Sequence, residues 1–305
     1  MQADTNDAGP PVNTERNDNL RGIVLMLLAM AALAVMDAAM KELVGRYPAI
    51  QVAALRGWVS LPLILGWVLW SERSLATLVR VRWAWQIGRG LLAVVMLTSF
   101  IYALGSMPLS EAYTLFFVAP LIITALSVPL LGEHVGPRRW AAVVIGFVGV
   151  IVVLRPGAVS ISLATVAVLV AAVCYALNAV SVRILGRTDT TAAMSFWFIG
   201  VVAVAAGLLA LPGWQPVRAA DAGWLALIAV TGALGQVWIT AAFRCAPISV
   251  IAPFEYSTLF WGVALDVAIF GELPPPIVFA GAAVIVGSGL YLIHRERRAT
   301  LIVPP

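Results

Sequence analysis

Seven ionisable residues stand inside or at the ends of long apolar stretches: Asp37, Lys41, Arg56, Arg89, Glu111, Glu255 and Asp266. At membrane depth each costs at least a few kcal/mol unless it faces a partner or a polar cavity, so each marks a site of interest. Asp37 and Lys41 are four residues apart with the acid first, which puts both on one helix face in the favourable order. An ion pair between them and a gating or substrate-contact role are both open. Arg56 lies about two turns into its stretch, too deep to snorkel easily, and a guanidinium keeps its charge. It needs an anion, which Asp37, Glu111 or a solute carboxylate or phosphate could supply. Glu255 follows Pro253, whose missing N–H loosens the local helix. It suits proton coupling, as Asp37 does, or contact with a solute amine; a salt bridge to Arg244, Arg89 or Arg183 is the structural alternative.

Aromatic residues accompany these charges: Trp58, Phe100, Tyr102, Tyr113, Phe116, Phe117, Tyr175, Trp197, Trp238, Phe254, Tyr256 and Trp261. Planar or cationic solutes stack on such rings. Asn178, one turn from Tyr175, adds a neutral hydrogen-bonding group on the same face. Trp70, Trp83, Trp140, Trp214 and Trp224 fall near stretch ends, where an interfacial belt is the ordinary reading.

The elements that must position these groups are membrane helices. The chain has 305 residues, 62% hydrophobic and 11% charged, with a mean hydropathy of +0.98. Soluble chains are about half apolar and roughly a quarter charged. A bilayer core about 30 Å thick needs about 20 apolar residues per helix. Dividing the chain at its charged, Pro and Gly interruptions predicts an all-α membrane protein of ten spans: 21–43, 48–70, 83–105, 108–131, 137–154, 160–184, 190–211, 221–243, 248–270 and 275–294. The polar residues 1–19 are expected to be a disordered cytoplasmic tail, and 295–305 a second one. The basic residues recur on the tail side of nearly every loop, which places both termini in the cytoplasm of a cell whose inner (plasma) membrane holds the protein.

An ungapped offset of 139 residues pairs Trp58 with Trp197, Trp85 with Trp224, Pro108 with Pro247, Ser110 with Ser249, and Gly132-Glu133 with Gly271-Glu272. The halves, 20–156 and 157–294, read as a duplication. Five spans per half make the repeat inverted, an architecture suited to alternating access. Gly146, Gly149, Gly281, Gly287 and Gly289 allow close helix packing, including between protomers of a homodimer.

Other chemistries lack their signatures. Cys174 and Cys245 have neither paired nor ligand-type spacing, and the two histidines lie at span edges, so no metal or cofactor is expected. No phosphate-binding Gly-rich loop, zinc-protease helix or nucleophile elbow occurs, which argues against an ATPase or an intramembrane enzyme. The dispersed basic residues do not form a nucleic-acid patch. A channel would need a continuous polar stripe, and only isolated charges are present.

The five-plus-five spans, the two Gly-Glu pairs, the segment Ala252-Pro253-Phe254-Glu255-Tyr256 and the run Met36-Asp37-Ala38-Ala39-Met40-Lys41 followed by Arg56 resemble the EamA-type proteins of the drug/metabolite transporter superfamily. Asp266 departs from that pattern, where a small residue is expected. The resemblance implies a central cavity lined by spans 1 to 4 and 6 to 9, open to one side at a time. It also implies a small-molecule substrate: riboflavin-like, nucleoside-like (S-adenosylmethionine) or amino-acid-derived, including an opine metallophore, with export of drugs or toxic metabolites, or a non-transporting assembly role, as alternatives. Asp37, Lys41, Arg56, Trp58, Tyr102, Tyr113, Phe117, Tyr175, Asn178, Trp197, Trp238, Glu255 and Tyr256 are the expected substrate-binding or gating residues.

Overall fold

The computed structural model of the chain describes residues 12–72, 76–131, 137–154, 162–185, 188–245, 252–284 and 286–287. Gly132-Glu133, Pro247, Ser249 and Gly289 lie outside them, as do the side chains of Arg183 and Arg244 and the C-terminal tail. Among the described residues the chain is helical, with no strand.

The first helix, α1 (Val12–Val44), starts earlier than expected, inside the polar stretch read as a tail. Pro10 and Pro11 precede it and Glu15 sits in its first turn, an arrangement that favours a helix start. Helices α2 (Ala49–Glu72), the short α3 (Ala76–Val79) and α4 (Trp83–Leu104) follow.

The expected fourth span is two helices, α5 (Leu109–Phe116) and α6 (Ala119–Leu131). The break at Phe117-Val118 has a local cause. Pro120 lacks the N–H that would bond the Phe116 carbonyl, and its ring crowds that oxygen. Next come α7 (Pro137–Leu154), α8 (Leu163–Leu185), α9 (Thr191–Ala210) and α10 (Ala222–Cys245).

The expected ninth span is also divided. A 3-10 stretch, Ala252–Tyr256, leads into α11 (Ser257–Leu265), which widens into a π turn at Asp266–Phe270. Gly271 ends it with φ +64, a left-handed conformation that a glycine adopts without steric cost. A last helical stretch covers 276–284.

Among the described residues, six helices are long and apolar enough to cross a membrane: Asn19–Val44, Ala49–Ser71, Trp83–Leu104, Leu163–Val182, Ala192–Gly213 and Ala219–Ile239. They correspond to expected spans 1, 2, 3, 6, 7 and 8. Packing runs mostly between the two halves of the chain: α1 lies along α10, α2 along α9, α4 against α8 and α9, α6 against α8, and α11 against α1 and α5. The principal apolar cluster joins Phe100, Leu104, Tyr113, Phe117, Val168 and Ala172, placing α4, α5 and α8 around one centre.

Two polar ties fasten opposite ends of the bundle. Where α1 turns into α2, Asp221 at the start of α10 accepts from Tyr47 Oη at 2.5 Å and from Arg46, which also holds Glu42. Gln51 adds a reciprocal pair with the Gln215 backbone, at 2.7 and 2.8 Å. At the other end, Asp189 between α8 and α9 accepts from Gln86 Nε2 at 2.7 Å, Thr188 Oγ1 at 2.8 Å and the Arg82 N–H at 3.3 Å.

Candidate transport site

Asp37 and Lys41 do not pair with each other. Lys41 Nζ reaches Glu272 Oε2 at 2.7 Å and Asp266 Oδ1 at 3.7 Å, and lies over the Phe270 ring at 4.3 Å. The π turn and left-handed Gly271 carry Asp266 and Glu272 to this one lysine, so long-range contacts displace the local i,i+4 pair. The Gly271-Glu272 dipeptide thus acquires a role: the glycine makes the turn and the glutamate ties it to α1.

Asp266, the residue out of pattern, is fully buried and accepts three hydrogen bonds from the start of α5: Leu109 N–H at 2.8 Å, Ser110 N–H at 2.9 Å and Ser110 Oγ at 2.7 Å. A carboxylate there satisfies amides that Pro108 leaves without an upstream helical carbonyl, and it complements the helix dipole. This cap links the two divided spans.

Freed from Lys41, Asp37 accepts from Tyr113 Oη at 2.8 Å, and Arg56 on α2 stands within electrostatic reach of the same carboxylate. Tyr113 lies flat on α11 because position 262 is glycine. A Cβ there would fall 2.7 Å from the Tyr113 ring.

From Tyr113 a chain of ring contacts continues across α4, α5 and α8. The Tyr113 ring stacks with Phe100 at 6.2 Å; Phe100 meets Phe116 at 5.3 Å, and Phe116 meets Tyr175 at 5.3 Å. Phe117 and Tyr256 touch edge to face at 5.0 Å. Glu255 lies within electrostatic reach of both Tyr175 and Tyr256. Tyr175 is 37% exposed. Asp37, Arg56 and Glu255 are partly exposed. Together these residues form a chain of aromatic rings with Asp37 and Arg56 at the Tyr113 end and Glu255 near the Tyr175 end.

Asn178 is buried, and both polar atoms of its amide lack a partner. Trp238 packs with Met26, Met30, Phe254 and Trp261 between α1, α10 and α11.

Other expected site residues stand apart from these rings and charges. Trp58 donates its indole N–H to the Ala203 carbonyl at 2.8 Å and packs on Trp214. Trp197 donates to the Leu78 carbonyl at 2.7 Å. Both fasten helices together. Tyr102 points outward, 41% exposed. Arg89, considered as a partner for Glu255, instead meets Gln86 Oε1 at 3.4 Å and the Phe198 ring at 5.7 Å.

The ties through Asp189 and Asp221 were not among the expected site residues. Each carboxylate sits in a short polar loop whose partners are 103 and 174 residues away, and no local pattern announces them.

Among the described residues, six long apolar helices packed around rings and opposed charges define a multi-pass membrane protein. The model of the EamA-like transporter family matches residues 20–155. The riboflavin transporter of Vibrio cholerae serotype O1 is 30% identical over 92% of this chain and 95% of its own length. The S-adenosylmethionine uptake transporter of Rickettsia conorii is 27% identical over 92% and 95%, and the pseudopaline exporter of Pseudomonas aeruginosa is 27% identical over 90% and 97%. A solved crystal structure shares the fold with a TM-score of 0.62 at 20% identity, over 92% of this chain and 98% of the other. The chain belongs to the EamA-like transporter family, within the drug/metabolite transporter superfamily. It is a membrane transporter.

Proposed function

We propose that the protein is a secondary transporter that moves a small polar or amphipathic organic metabolite across the inner membrane by alternating access, binding it between Arg56–Asp37 and Glu255. In this reading the chain forms ten spans as two inverted five-helix repeats, with both termini cytoplasmic. The glycines of spans 5 and 10 are the proposed contact of a homodimer.

One observation carries the reading: the breaks in spans 4 and 9 meet at the Phe117–Tyr256 ring contact, and these residues are separated by the same 139-residue offset that aligns the halves. Discontinuous helices meeting between two repeats are where transporters of this architecture bind solutes. The packing supports it. Exchanging the halves turns the α1–α10 pair into α8–α4, and α1–α11 into α8–α6, all of which pack together.

The candidate cargos follow the relatives: a riboflavin-like, nucleoside-like or amino-acid-derived molecule. The chain of aromatic rings suits the planar part of such a solute, and the two charged ends suit its polar groups. Purified protein in liposomes loaded with riboflavin or S-adenosylmethionine tests the proposal. Saturable flux with counterflow is expected, abolished by Arg56→Ala and by Glu255→Gln without loss of membrane insertion. Ohmic conductance, or normal flux in both variants, would refute it.

A further inference from the structure

We propose that Glu255, Tyr175 and Tyr256 form a subsite for the positive centre of an organic cation, at the junction of the two divided spans. The inference rests on the transporter reading and narrows its cargo to a solute that carries a fixed positive charge.

The balance of charges among these helices leads to this assignment. Lys41 is held by Glu272 and Asp266, Arg46 by Glu42 and Asp221, and Arg89 by Gln86 beside Asp189. Arg56 faces Asp37. Each of these cations has an acid or amide of its own. Of the acids deep in the bundle, Asp37 receives Tyr113 and Asp266 receives three donors. Among the described residues no donor or cation is bonded to the Glu255 carboxylate; its backbone carbonyl alone accepts a bond, from Thr258 Oγ1 at 2.7 Å. A carboxylate so placed favours a solute that brings the countercharge.

The surroundings select the kind of cation. Tyr256 is the next residue along the chain and Tyr175 is within electrostatic reach of the acid; the two tyrosines contact the adjacent rings Phe117 and Phe116 at 5.0 and 5.3 Å, which brings them to one place. Aromatic faces attract a cation through the ring quadrupole and require no hydrogen-bond donor, which suits sulfonium and quaternary ammonium centres. A bare metal ion is poorly served, because it needs several oxygen or nitrogen ligands, and no metal-binding group of His, Cys, Asp and Glu occurs among the described residues. An anion would be repelled by Glu255.

A pair of probes isolates the charge. S-adenosylmethionine and S-adenosylhomocysteine differ by one methyl group and one positive charge on sulfur, and choline serves as a minimal cation. Calorimetric titration of the purified full-length protein in detergent is expected to give at least tenfold tighter binding of S-adenosylmethionine than of S-adenosylhomocysteine. Glu255→Gln should reduce that ratio to near one, and Tyr175→Leu should lower it several-fold. Should Glu255→Gln not fold, Glu255→Asp and Tyr175→Leu carry the same comparison. Equal binding of the two probes by the native protein, a ratio that survives these variants, or the failure of both S-adenosylmethionine and choline to bind at millimolar concentration would overturn the subsite. Saturable riboflavin flux by the native protein would then leave the transporter reading standing, whereas its absence with every solute would remove that reading.

Discussion

The rings of Phe117 and Tyr256 meet edge to face at 5.0 Å, at the point where two helices of the bundle are each interrupted. Phe117 ends up there because Pro120 breaks the span behind it, and Tyr256 because a 3-10 stretch beginning beside Pro253 brings it into register. Glu255 lies within electrostatic reach of Tyr175, and Tyr113 donates to Asp37.

Tyr113→Phe removes the hydroxyl that Asp37 accepts at 2.8 Å. Losing one partner of a buried hydrogen bond to a charged group costs about 1.5–3 kcal/mol. Initial flux in proteoliposomes is expected to fall about tenfold or more while the variant still elutes as folded protein; undiminished flux would show that this bond does not position Asp37.

Gly262→Ala places a methyl group 2.7 Å from the Tyr113 ring, against a side chain that is 4% exposed and has little room to retreat. Overpacking of this kind costs about 1–3 kcal/mol. Thermal unfolding in detergent should shift downward, and the double variant Gly262→Ala with Tyr113→Ala should recover part of the loss.

Asp266→Ala leaves two α5 amides and Ser110 Oγ without their acceptor and takes one acid from Lys41. Loss of a cap costs about 0.5–2 kcal/mol. Asp266→Asn keeps an oxygen for the amides and should be the milder change. Melting temperatures ordered native, Asn, Ala are the expected outcome; equal melting of all three would contradict the capping role.

Asp189 lies in the loop between α8 and α9. Its burial raises the pKa, but hydrogen bonds from Gln86, Thr188 and the Arg82 N–H outweigh that and hold it below the ordinary value of 3.8. A folded-state pKa below the unfolded one stabilises the fold at pH above the unfolded value, and that contribution is lost as pH falls through the folded one. The native protein should therefore lose stability as pH drops below about 4, and Asp189→Asn should flatten that part of the curve measured by thermal unfolding.

The sequence by itself determined that this chain lives in a membrane, since no soluble fold can bury an excess of apolar residues this large. It also located the interruptions, because proline and glycine act locally: Pro253 and Gly271 mark a change of helix type and a helix end. Pro120 marks a break that span counting alone runs through. The charges within apolar stretches, Asp37, Arg56 and Glu255, were legible for the same reason, since the cost of an ion in apolar surroundings does not depend on the fold.

Which charge faces which was decided by tertiary structure. Local spacing offers Lys41 to Asp37, but the π turn and left-handed Gly271 deliver Glu272 and Asp266 to that lysine from more than two hundred residues away. Asp37 is thereby left to Tyr113 and Arg56. Trp58 and Trp197 are rich in possible chemistry as residue types, yet both are used as hydrogen-bonded fasteners between helices. Helical periodicity says which residues share a face of one helix; only the packing of helices against one another says what that face meets.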